Sequence, residues 1–279
     1  MLDQPSTQTV TQLPLAQFVV PTEERSIEAT NKIAAELMAQ LQAPPHWLVL
    51  VTEQNPIDLD GVVNILTAMG QNDATTAGEL PRISRTKIQV DMKQSARKGK
   101  VTRYSRTPDA LPLHTDCSNK VIPPNLVAFA MERPDPQGGG ESVILSAADL
   151  VRELPADLVS RLRQPIFPFV GEKRYPILQG EGGDWRIRYY RNQINSALGE
   201  SGALSDPLRE ALDELERTLA LSKRSVRLAL QPGEVLIMDN QRVLHGRSAM
   251  PADSSRLMHR FRLSVPALSA PRAWATPIS

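Results

Sequence analysis

The chain contains only one cysteine, Cys117, among its 279 residues. A disulfide needs two cysteines, so none can form within the chain, and we expect a reducing, cytoplasmic location. A free cysteine is usually a small, buried and inert packing residue. We predict that role for Cys117, with its side chain directed away from that of Asp116 if both lie on one strand.

Long apolar runs and an excess of one charge are also missing. No segment approaches the ~20 apolar residues of a membrane helix, and residues 1–8 lack the basic and apolar segments of a secretory signal. The 32 basic and 31 acidic residues give a formal net charge of +1, which provides no general attraction to nucleic acid or to an anionic membrane. We therefore expect a small-molecule substrate and no nucleic-acid or membrane partner, and a homo-oligomer stays open.

Short strand-like segments recur along the chain and are separated by turns with proline or glycine. They cover 46–51, 88–92, 126–131, 142–145, 166–170, 185–190, 226–230 and 235–238. Helical spacing of apolar residues predicts helices at 24–42, 61–69, 147–163 (split by Pro155) and from the cap Ser205 to Leu219. The pattern predicts a mainly β fold with helices: a double-stranded β-helix (jelly roll) core flanked by α-helices.

The length and the 41% hydrophobic content allow one substantial core. We predict a single domain over residues 1–279, with two small domains as the alternative. Residues 1–22 are predicted to be a loose N-terminal lead-in. Residues 70–86 lack periodicity and are predicted to form a loop near the active site, or else a solvated connection.

The most informative pattern consists of two histidines and a carboxylate. If a strand runs through 111–116, the alternation of side chains places His114 and Asp116 on the same face. His245 follows another strand-like run, 234–238. Two imidazoles and one carboxylate suit a mononuclear non-haem iron(II) site that keeps coordination positions open. We hypothesise that these three residues bind the metal, although a His-X-Asp triplet by itself also arises by chance.

A basic strand follows the second histidine. Alternation over 255–263 puts Arg256, Met258, Arg260 and Arg262 on one face. A solvent-exposed basic face of an antiparallel sheet would give the same pattern. A guanidinium can also donate two parallel hydrogen bonds to a carboxylate. Arg260 is therefore a candidate for holding the distal carboxylate of a dicarboxylic co-substrate whose keto-acid end chelates iron.

Five motifs follow one another between residues 110 and 265. They are His114-Thr-Asp116, Gly138-Gly-Gly-Glu-Ser142, Gly233-Glu-Val-Leu-Ile-Met-Asp-Asn240, Arg242-Val-Leu-His-Gly-Arg247 and Arg256-Leu-Met-His-Arg260. In this order they resemble the motifs of the taurine/2-oxoglutarate dioxygenase (TauD/TfdA-like) family, within the clavaminate synthase-like superfamily.

The resemblance implies an oxidoreductase with Fe(II), 2-oxoglutarate and O2 as cofactor and co-substrates. His114, Asp116 and His245 would bind iron(II). Arg260 would pair with the C5 carboxylate of 2-oxoglutarate, with Arg256 nearby. Ser142 stands where the family often has a threonine that hydrogen-bonds the same carboxylate.

The implied reaction converts 2-oxoglutarate to succinate and CO2 while a small polar substrate is oxidised. Retention of Asp116 favours hydroxylation or a related oxidation over halogenation, and desaturation and cyclisation stay open. Asn240 or Arg247 could orient the metal histidines, although Asn240 is equally suited to a turn. The alternatives are a non-catalytic ligand-binding or sensing jelly-roll protein and a metal-dependent hydrolase that uses the same three ligands.

Two basic and aromatic segments are candidate walls of the substrate pocket. The segment Arg103-Tyr104-Ser105-Arg106 precedes the first ligand strand, and the segment Arg188-Tyr-Tyr190-Arg191-Asn192 ends another strand. If they line the pocket, the substrate carries a carboxylate, sulfonate or phosphate, and an amino acid or a natural-product intermediate fits. The alternative is that they are surface arginines and packed tyrosines.

Overall fold

A computed structural model describes residues 17–20, 26–52, 57–71, 82–97, 100–101, 103–170, 173–198 and 204–268. The strands are β1 (Gln17–Val20), β2 (Trp47–Thr52), β3 (Ser84–Ile88), β4 (Ala96–Arg97), β5 (Lys100–Val101), β6 (Leu111–His114), β7 (Leu126–Arg133), β8 (Ser142–Ser146), β9 (Phe167–Val170), β10 (Lys173–Tyr175), β11 (Leu178–Glu181), β12 (Asp184–Ile187), β13 (Val226–Leu228), β14 (Glu234–Asp239), β15 (Val243–Arg247) and β16 (Leu257–Leu263). The helices are α1 (Ile27–Gln42), α2 (Leu59–Gln71), α3 (Met92–Ser95), α4 (Ala147–Val151), α5 (Ala156–Leu162), α6 (Arg191–Ala197) and α7 (Asp206–Leu221).

Two sheets form the centre of this mixed helix and strand fold. The larger has the strand order β1-β2-β14-β7-β16-β3 and the smaller the order β13-β8-β15-β6. Their strand pairs are antiparallel, apart from the parallel pair β1–β2. Phe129 and Met258 of the larger sheet share one apolar cluster with Ile144 and Val243 of the smaller. The two sheets therefore pack face to face.

The central strands of the larger sheet are buried on both faces, which explains their nearly continuous apolar sequences. In β7, Val127 and Phe129 face the smaller sheet, whereas Ala128 and Ala130 face the other way. The outward face is covered by α1 and α2, whose buried side chains belong to the same cluster as the two alanines. Alternate side chains of β7 therefore pack into two different apolar clusters, one between the sheets and one beneath the helices.

The smaller sheet is covered on its outer face by a second set of helices. Leu145 of β8 and Leu244 of β15 share a cluster with buried leucines of α4, α5 and α7. As predicted, Pro155 divides the first helical segment and forms the N-cap of α5. The predicted leucine stripe of α7 is also confirmed as a packing face, since Leu212 and Leu215 are fully buried.

Several predicted boundaries were wrong. Residues 17–20, within the predicted loose lead-in, pair with β2, and the rest of 1–22 lies outside the described residues. Of the predicted loop 70–86, Gln71 ends α2 and Ser84 begins β3, while 72–81 lie outside the described residues. The strand predicted at 88–92 ends at Ile88 because Asp91 caps α3, its carboxylate accepting from the backbone N–H of Gln94 at 3.0 Å.

None of the helices in the described part of the chain has the length and apolar character needed to cross a lipid bilayer.

Candidate active site

The two candidate metal histidines lie directly opposite each other on neighbouring strands. His114 ends β6 and pairs with His245 of β15 in the antiparallel register, which brings their ring centroids within 4.5 Å. Gly246 permits this close approach, since a Cβ atom there would lie 2.6 Å from the carbonyl oxygen of Leu111. The sequence His-Gly at 245–246 therefore has a steric reason in addition to a chemical one.

Asp116 reaches the histidines from a turn. The predicted strand 111–116 was wrong, because β6 ends at His114 and the backbone N–H of Thr115 donates to the carbonyl oxygen of Tyr189 at 2.7 Å. Tyr189 N–H in turn donates to the Thr115 hydroxyl at 3.0 Å, which also explains why the strand predicted at 185–190 stops at Ile187. Alternation along a strand is therefore not what places Asp116 beside His114.

Asn240 fixes the backbone of Asp116 from both sides. Its side-chain Oδ1 accepts from the Asp116 N–H at 2.8 Å, and its Nδ2 donates to the carbonyl oxygens of Asp116 at 3.0 Å and Pro124 at 2.7 Å. Asn240 thus positions the carboxylate ligand, whereas the sequence predicted that it could orient a histidine. Arg247, the other candidate for that role, donates to the carbonyl oxygens of Thr107 and Asp109 and braces the segment before β6.

The three side chains form a buried group that fits a metal ion. Oδ1 of Asp116 lies 3.7 Å from Nε2 of His114 and 3.9 Å from Nε2 of His245, and ligand atoms of all three residues lie within 4.8 Å of one another. Nδ1 of His114 contacts the carbonyl oxygen of Pro112 at 2.9 Å. Because a carbonyl can only accept, Nδ1 carries a proton, and in the neutral ring the lone pair is therefore on Nε2, the nitrogen nearer to Asp116.

The ring nitrogens and the pKa of His245 show whether the three residues suit a metal ion. Both of its ring nitrogens are buried and have no hydrogen-bond partner within the described residues. Leaving such groups unsatisfied is costly, and they are usually explained by a missing ion or water. Burial, followed by the charge of His114, lowers the pKa of His245 to about 3, so the ring is neutral at physiological pH, as a metal ligand must be. Imidazole and carboxylate donors in this number suit iron(II).

Two arginines hold the Asp116 carboxylate as an anion. Arg260 Nη1 donates to Oδ1 at 3.1 Å, and Arg262 Nε donates to Oδ2 at 2.7 Å. Burial by itself would raise the pKa of Asp116, but Arg260, His114, His245 and Arg262 outweigh it and hold the pKa well below its usual range. The sequence placed Arg262 on the correct face of β16 but gave it no role in the site.

Two cavities meet at the metal group, and His114 and Arg260 line both. The outer cavity has a volume of about 1040 Å³ and is lined by residues that include Arg103, Tyr104, Arg106, Asn119, Tyr190, Asn192, Gln193, Asp116 and Arg262. The smaller inner cavity is lined by residues that include Ser142, His245, Arg247, Arg256 and Met258. The outer cavity is therefore large and polar, whereas the inner cavity is small and lined by apolar side chains together with three arginines.

Arg256 lines the inner cavity and makes no direct ion pair among the described residues, although the charge of Asp135 acts on it. Its side chain is buried, and the contact given for its Nη2 is the sulfur of Met258 at 3.4 Å. Gly140 makes room for it, because a Cβ atom there would lie 2.8 Å from the Cδ of Arg256. Burial and the charge of Arg247 lower the pKa of Arg256 to about 10 against the opposing charge of Asp135, so Arg256 stays protonated at neutral pH.

Of the candidate substrate residues, Arg103, Tyr104 and Tyr190 line the outer cavity and the other two do not. Arg188 is fully buried, lies 4.0 Å above the ring of Tyr175, and donates from Nε to the carbonyl oxygen of Ser118 at 2.8 Å. Arg191 pairs with Asp213 of α7 at 2.8 Å. Both arginines therefore have structural contacts, and their prediction as substrate residues is corrected.

Sequence analysis missed several residues of the outer cavity. Cys117 was predicted to pack away from the site, but it has a positive φ of 57°, is half-buried and lines the cavity. Arg106 and Asn192 belong to the two predicted pocket segments and do line the cavity, whereas Gln193, Asn195 and Ser196 of α6 were not predicted. The polar side chains of α6 beyond Asn192 carried no comparable signal in the sequence.

Comparison with known proteins assigns the chain to a family. The model of the family described as taurine catabolism dioxygenase TauD, TfdA family, matches residues 9–262. An L-lysine 3-hydroxylase from Catenulispora acidiphila is 28% identical over 151 residues, which is 50% of this chain and 40% of that protein. The aligned region thus spans less than half the length of this relative.

Solved structures share the fold. An asparagine oxygenase in complex with Fe(II), 2S,3S-3-hydroxyasparagine and succinate superposes with a TM-score of 0.63 at 15% identity, covering 89% of this chain and 93% of that one. The non-heme iron oxygenase OrfP in complex with Fe and alpha-ketoglutaric acid gives a TM-score of 0.60 at 14% identity, covering 89% and 94%. Because the family model spans most of the sequence, including the His-Asp-His group, the chain belongs to the TauD/TfdA family of taurine catabolism dioxygenases.

Proposed function

We propose that the protein is an Fe(II)- and 2-oxoglutarate-dependent dioxygenase that hydroxylates a small amino-acid-like substrate. The observation that carries this proposal is the buried group of His114, Asp116 and His245, in which both nitrogens of His245 have no partner among the described residues. When bound, iron and 2-oxoglutarate supply the oxidising chemistry and yield succinate and CO2. The two face-to-face sheets support a jelly-roll core, and we treat residues 1–279 as one cytoplasmic domain.

The protein residues would hold the reactants and exclude water. His114, Asp116 and His245 would bind iron, with Asp116 held by Arg262 and Asn240. The large outer cavity would take the substrate, which fits the relatives: one is an L-lysine 3-hydroxylase, and one structure contains a hydroxylated asparagine. Tyr190, whose ring centroid lies 4.6 Å from that of His114, would form part of the wall beside the metal.

We assign the distal carboxylate of 2-oxoglutarate to Arg256 and Ser142 in preference to Arg260. Arg256 is a buried cation with no ion pair in the described part of the chain, and burying an unpaired charge is costly unless a ligand compensates it. Arg260 already donates to Asp116. Ser142 also lines the inner cavity and offers a hydroxyl. Arg260 would then lie at the boundary between the co-substrate and the substrate.

The assignment of Arg256 makes a direct prediction. Arg256→Gln should raise the KM for 2-oxoglutarate by about 10-fold or more, because a hydrogen bond between charged groups is worth about 1.5–3 kcal/mol. The substrate KM at saturating 2-oxoglutarate should change little. Arg133→Gln is the matched control, since this exposed arginine on the neighbouring strand β7 bonds only the Ser255 carbonyl among its described contacts. A normal KM for 2-oxoglutarate in Arg256→Gln would remove the assignment.

The function is tested by an anaerobic titration of the purified protein with Fe(II) and then 2-oxoglutarate. We expect a metal-to-ligand charge-transfer band that is absent in His114→Ala and His245→Ala, followed by succinate release when oxygen and an amino-acid panel are added. Binding of 2-oxoglutarate without turnover would favour a sensing protein. Metal binding without the band would favour a metal-dependent hydrolase and would end the proposal.

A further inference from the structure

The outer cavity carries more positive charge than its own acidic groups can balance. Among its described lining residues are four guanidinium groups, those of Arg103, Arg106, Arg260 and Arg262, and one carboxylate, that of Asp116. Asp116 already accepts hydrogen bonds from Arg260 and Arg262 and belongs to the metal group. The charges of Arg103 and Arg106 are therefore left without an acidic partner in the described part of the cavity.

Arg106 is held in place by neutral groups. Its Nη2 donates to the carbonyl oxygen of Lys87 at 3.1 Å, and its Nη1 donates to the side-chain oxygen of Gln94. These bonds fix the guanidinium and leave its charge uncompensated. Arg106 lines the outer cavity together with Arg260 and Arg262 and adds to the positive charge there.

The remaining polar lining is neutral. Asn119, Asn192, Gln193, Asn195 and Ser196 line the side of the cavity formed by α6 and the turn after Asp116. Gln193 is committed to that turn, because its Oε1 accepts from the Ser118 hydroxyl at 2.5 Å and from the Asn119 N–H at 2.9 Å. Amide groups can hydrogen-bond the ammonium or carboxylate of an amino acid without providing charge. The arginines therefore decide which charge the cavity prefers.

We infer that the outer cavity selects an amino acid with an acidic side chain, whose carboxylate is received by Arg103 and Arg106. This inference rests on the proposed function and narrows its substrate class. A cationic side chain would need a carboxylate partner, and the one described in the lining is Asp116, which is already paired. Guanidinium groups bind carboxylates with matched geometry, and opposed charges across a binding site suppress the wrong partner. The preference is opposite to that implied by the name of the L-lysine 3-hydroxylase relative.

The test compares amino acids that are matched in size and differ in charge. L-Glutamate, L-glutamine and L-lysine, together with the shorter pair L-aspartate and L-asparagine, are titrated anaerobically into the complex with Fe(II) and 2-oxoglutarate. The perturbation of the charge-transfer band reports binding, and substrate-dependent succinate formation in air reports turnover. For the tighter-binding pair, we expect the acid to bind at least 10-fold tighter than its amide, and L-lysine to bind more weakly than either.

Variants assign the preference to the two arginines. Arg103→Gln with Arg106→Gln should bring the acid and its amide to within about 3-fold of each other, and Arg103→Glu with Arg106→Glu should favour L-lysine. Arg152→Gln removes an exposed arginine that pairs with Asp149 outside both cavities, so the preference should persist.

Equal binding of acid and amide, tighter binding of L-lysine, or no binding of any of the five amino acids would overturn the inference. The first two results leave the proposed function standing, because the charge-transfer band forms and an amino acid still binds. If none of the five binds, turnover of another member of the amino-acid panel would retain the proposed function and overturn the inference alone. Loss of the band itself would instead refute the proposed function.

Discussion

Asn240 is the residue whose removal tests most sharply how the metal site is built. Its side chain makes three hydrogen bonds, of 2.8, 3.0 and 2.7 Å, to the backbone of Asp116 and Pro124, and it is 2% exposed. Asn240→Ala would leave one N–H and two carbonyl groups buried without this partner. We therefore expect the variant to lose stability and metal affinity together.

The magnitude follows from the three bonds. A typical intramolecular hydrogen bond contributes about 1 kcal/mol net, and a partner left buried and unsatisfied costs about 1–3 kcal/mol. Asn240→Ala should therefore lower the free energy of unfolding of the metal-free protein by at least about 3 kcal/mol. Because the same bonds position a metal ligand, affinity for the metal should fall by about 10–100-fold, as for other residues that orient metal ligands.

Chemical denaturation measures the free energy of unfolding. Calorimetric titration with Co(II), used as an oxygen-stable substitute for Fe(II), measures the affinity for the metal. Asn240→Asp keeps the acceptor for the Asp116 N–H but places a buried carboxylate oxygen against two carbonyl oxygens, so it should lose at least as much stability as Asn240→Ala. Gln231→Ala is the matched control, because this exposed amide bonds the Ala229 carbonyl away from the site. Wild-type Co(II) affinity in a folded Asn240→Ala protein would refute the reasoning.

Two further predictions concern charged groups. Arg262→Gln shortens the side chain that donates to Oδ2 of Asp116 at 2.7 Å, so Co(II) affinity should fall by about 10–100-fold while the KM for 2-oxoglutarate at saturating metal is retained; unchanged affinity in the titration would contradict this role. Burial raises the pKa of Asp239 from 3.8 to about 6. The hydrogen bond from the Gln241 N–H and the charges of Arg186 and Arg242 lower it, but burial outweighs them. The folded protein therefore retains a proton that the unfolded chain has released, and the free energy of unfolding falls as pH rises from about 4 to 6, by up to about 3 kcal/mol. Asp239→Asn should abolish that fall in denaturation curves, and a wild-type pH profile in the variant would exclude Asp239 as its cause.

The parts of the fold that could be predicted from sequence are those in which local pattern and tertiary burial agree. The apolar runs of β7 and β14 are buried on both faces, and the leucine stripe of α7 lies against the outer face of the smaller sheet. Period-two alternation in β16 correctly put Met258 and Phe261 on opposite faces, and the structure shows that Met258 packs between the two sheets and Phe261 packs with α1 and α2. Each buried face of these elements packs against a single apolar cluster, so the spacing of apolar residues in the sequence reveals which residues are buried.

Alternation gives the face of a residue but not its depth along the strand. Arg256 directly precedes β16 and Arg260 lies within it, and four residues of extended chain at about 3.3 Å each span about 13 Å. Arg256 lines the inner cavity, whereas Arg260 lines both cavities and reaches the carboxylate of Asp116. Because both are arginines in one extended segment, the sequence could not rank them, and the choice depended on which other segments supply the partner.

The turn that carries Asp116 shows why the second metal ligand could not be placed correctly by local reasoning. Its backbone is held by Tyr189 and Asn240, and the residues that follow are held by Arg188 and Gln193. All four lie more than 60 positions further along the chain, as do the partners of the Asp116 carboxylate on β16. A strand that simply continued past His114 would need none of these contacts. Nε and Nη2 of Arg188 donate to the carbonyl oxygens of Ser118 and Lys120, so this basic residue near the site shapes the turn that carries the metal ligand.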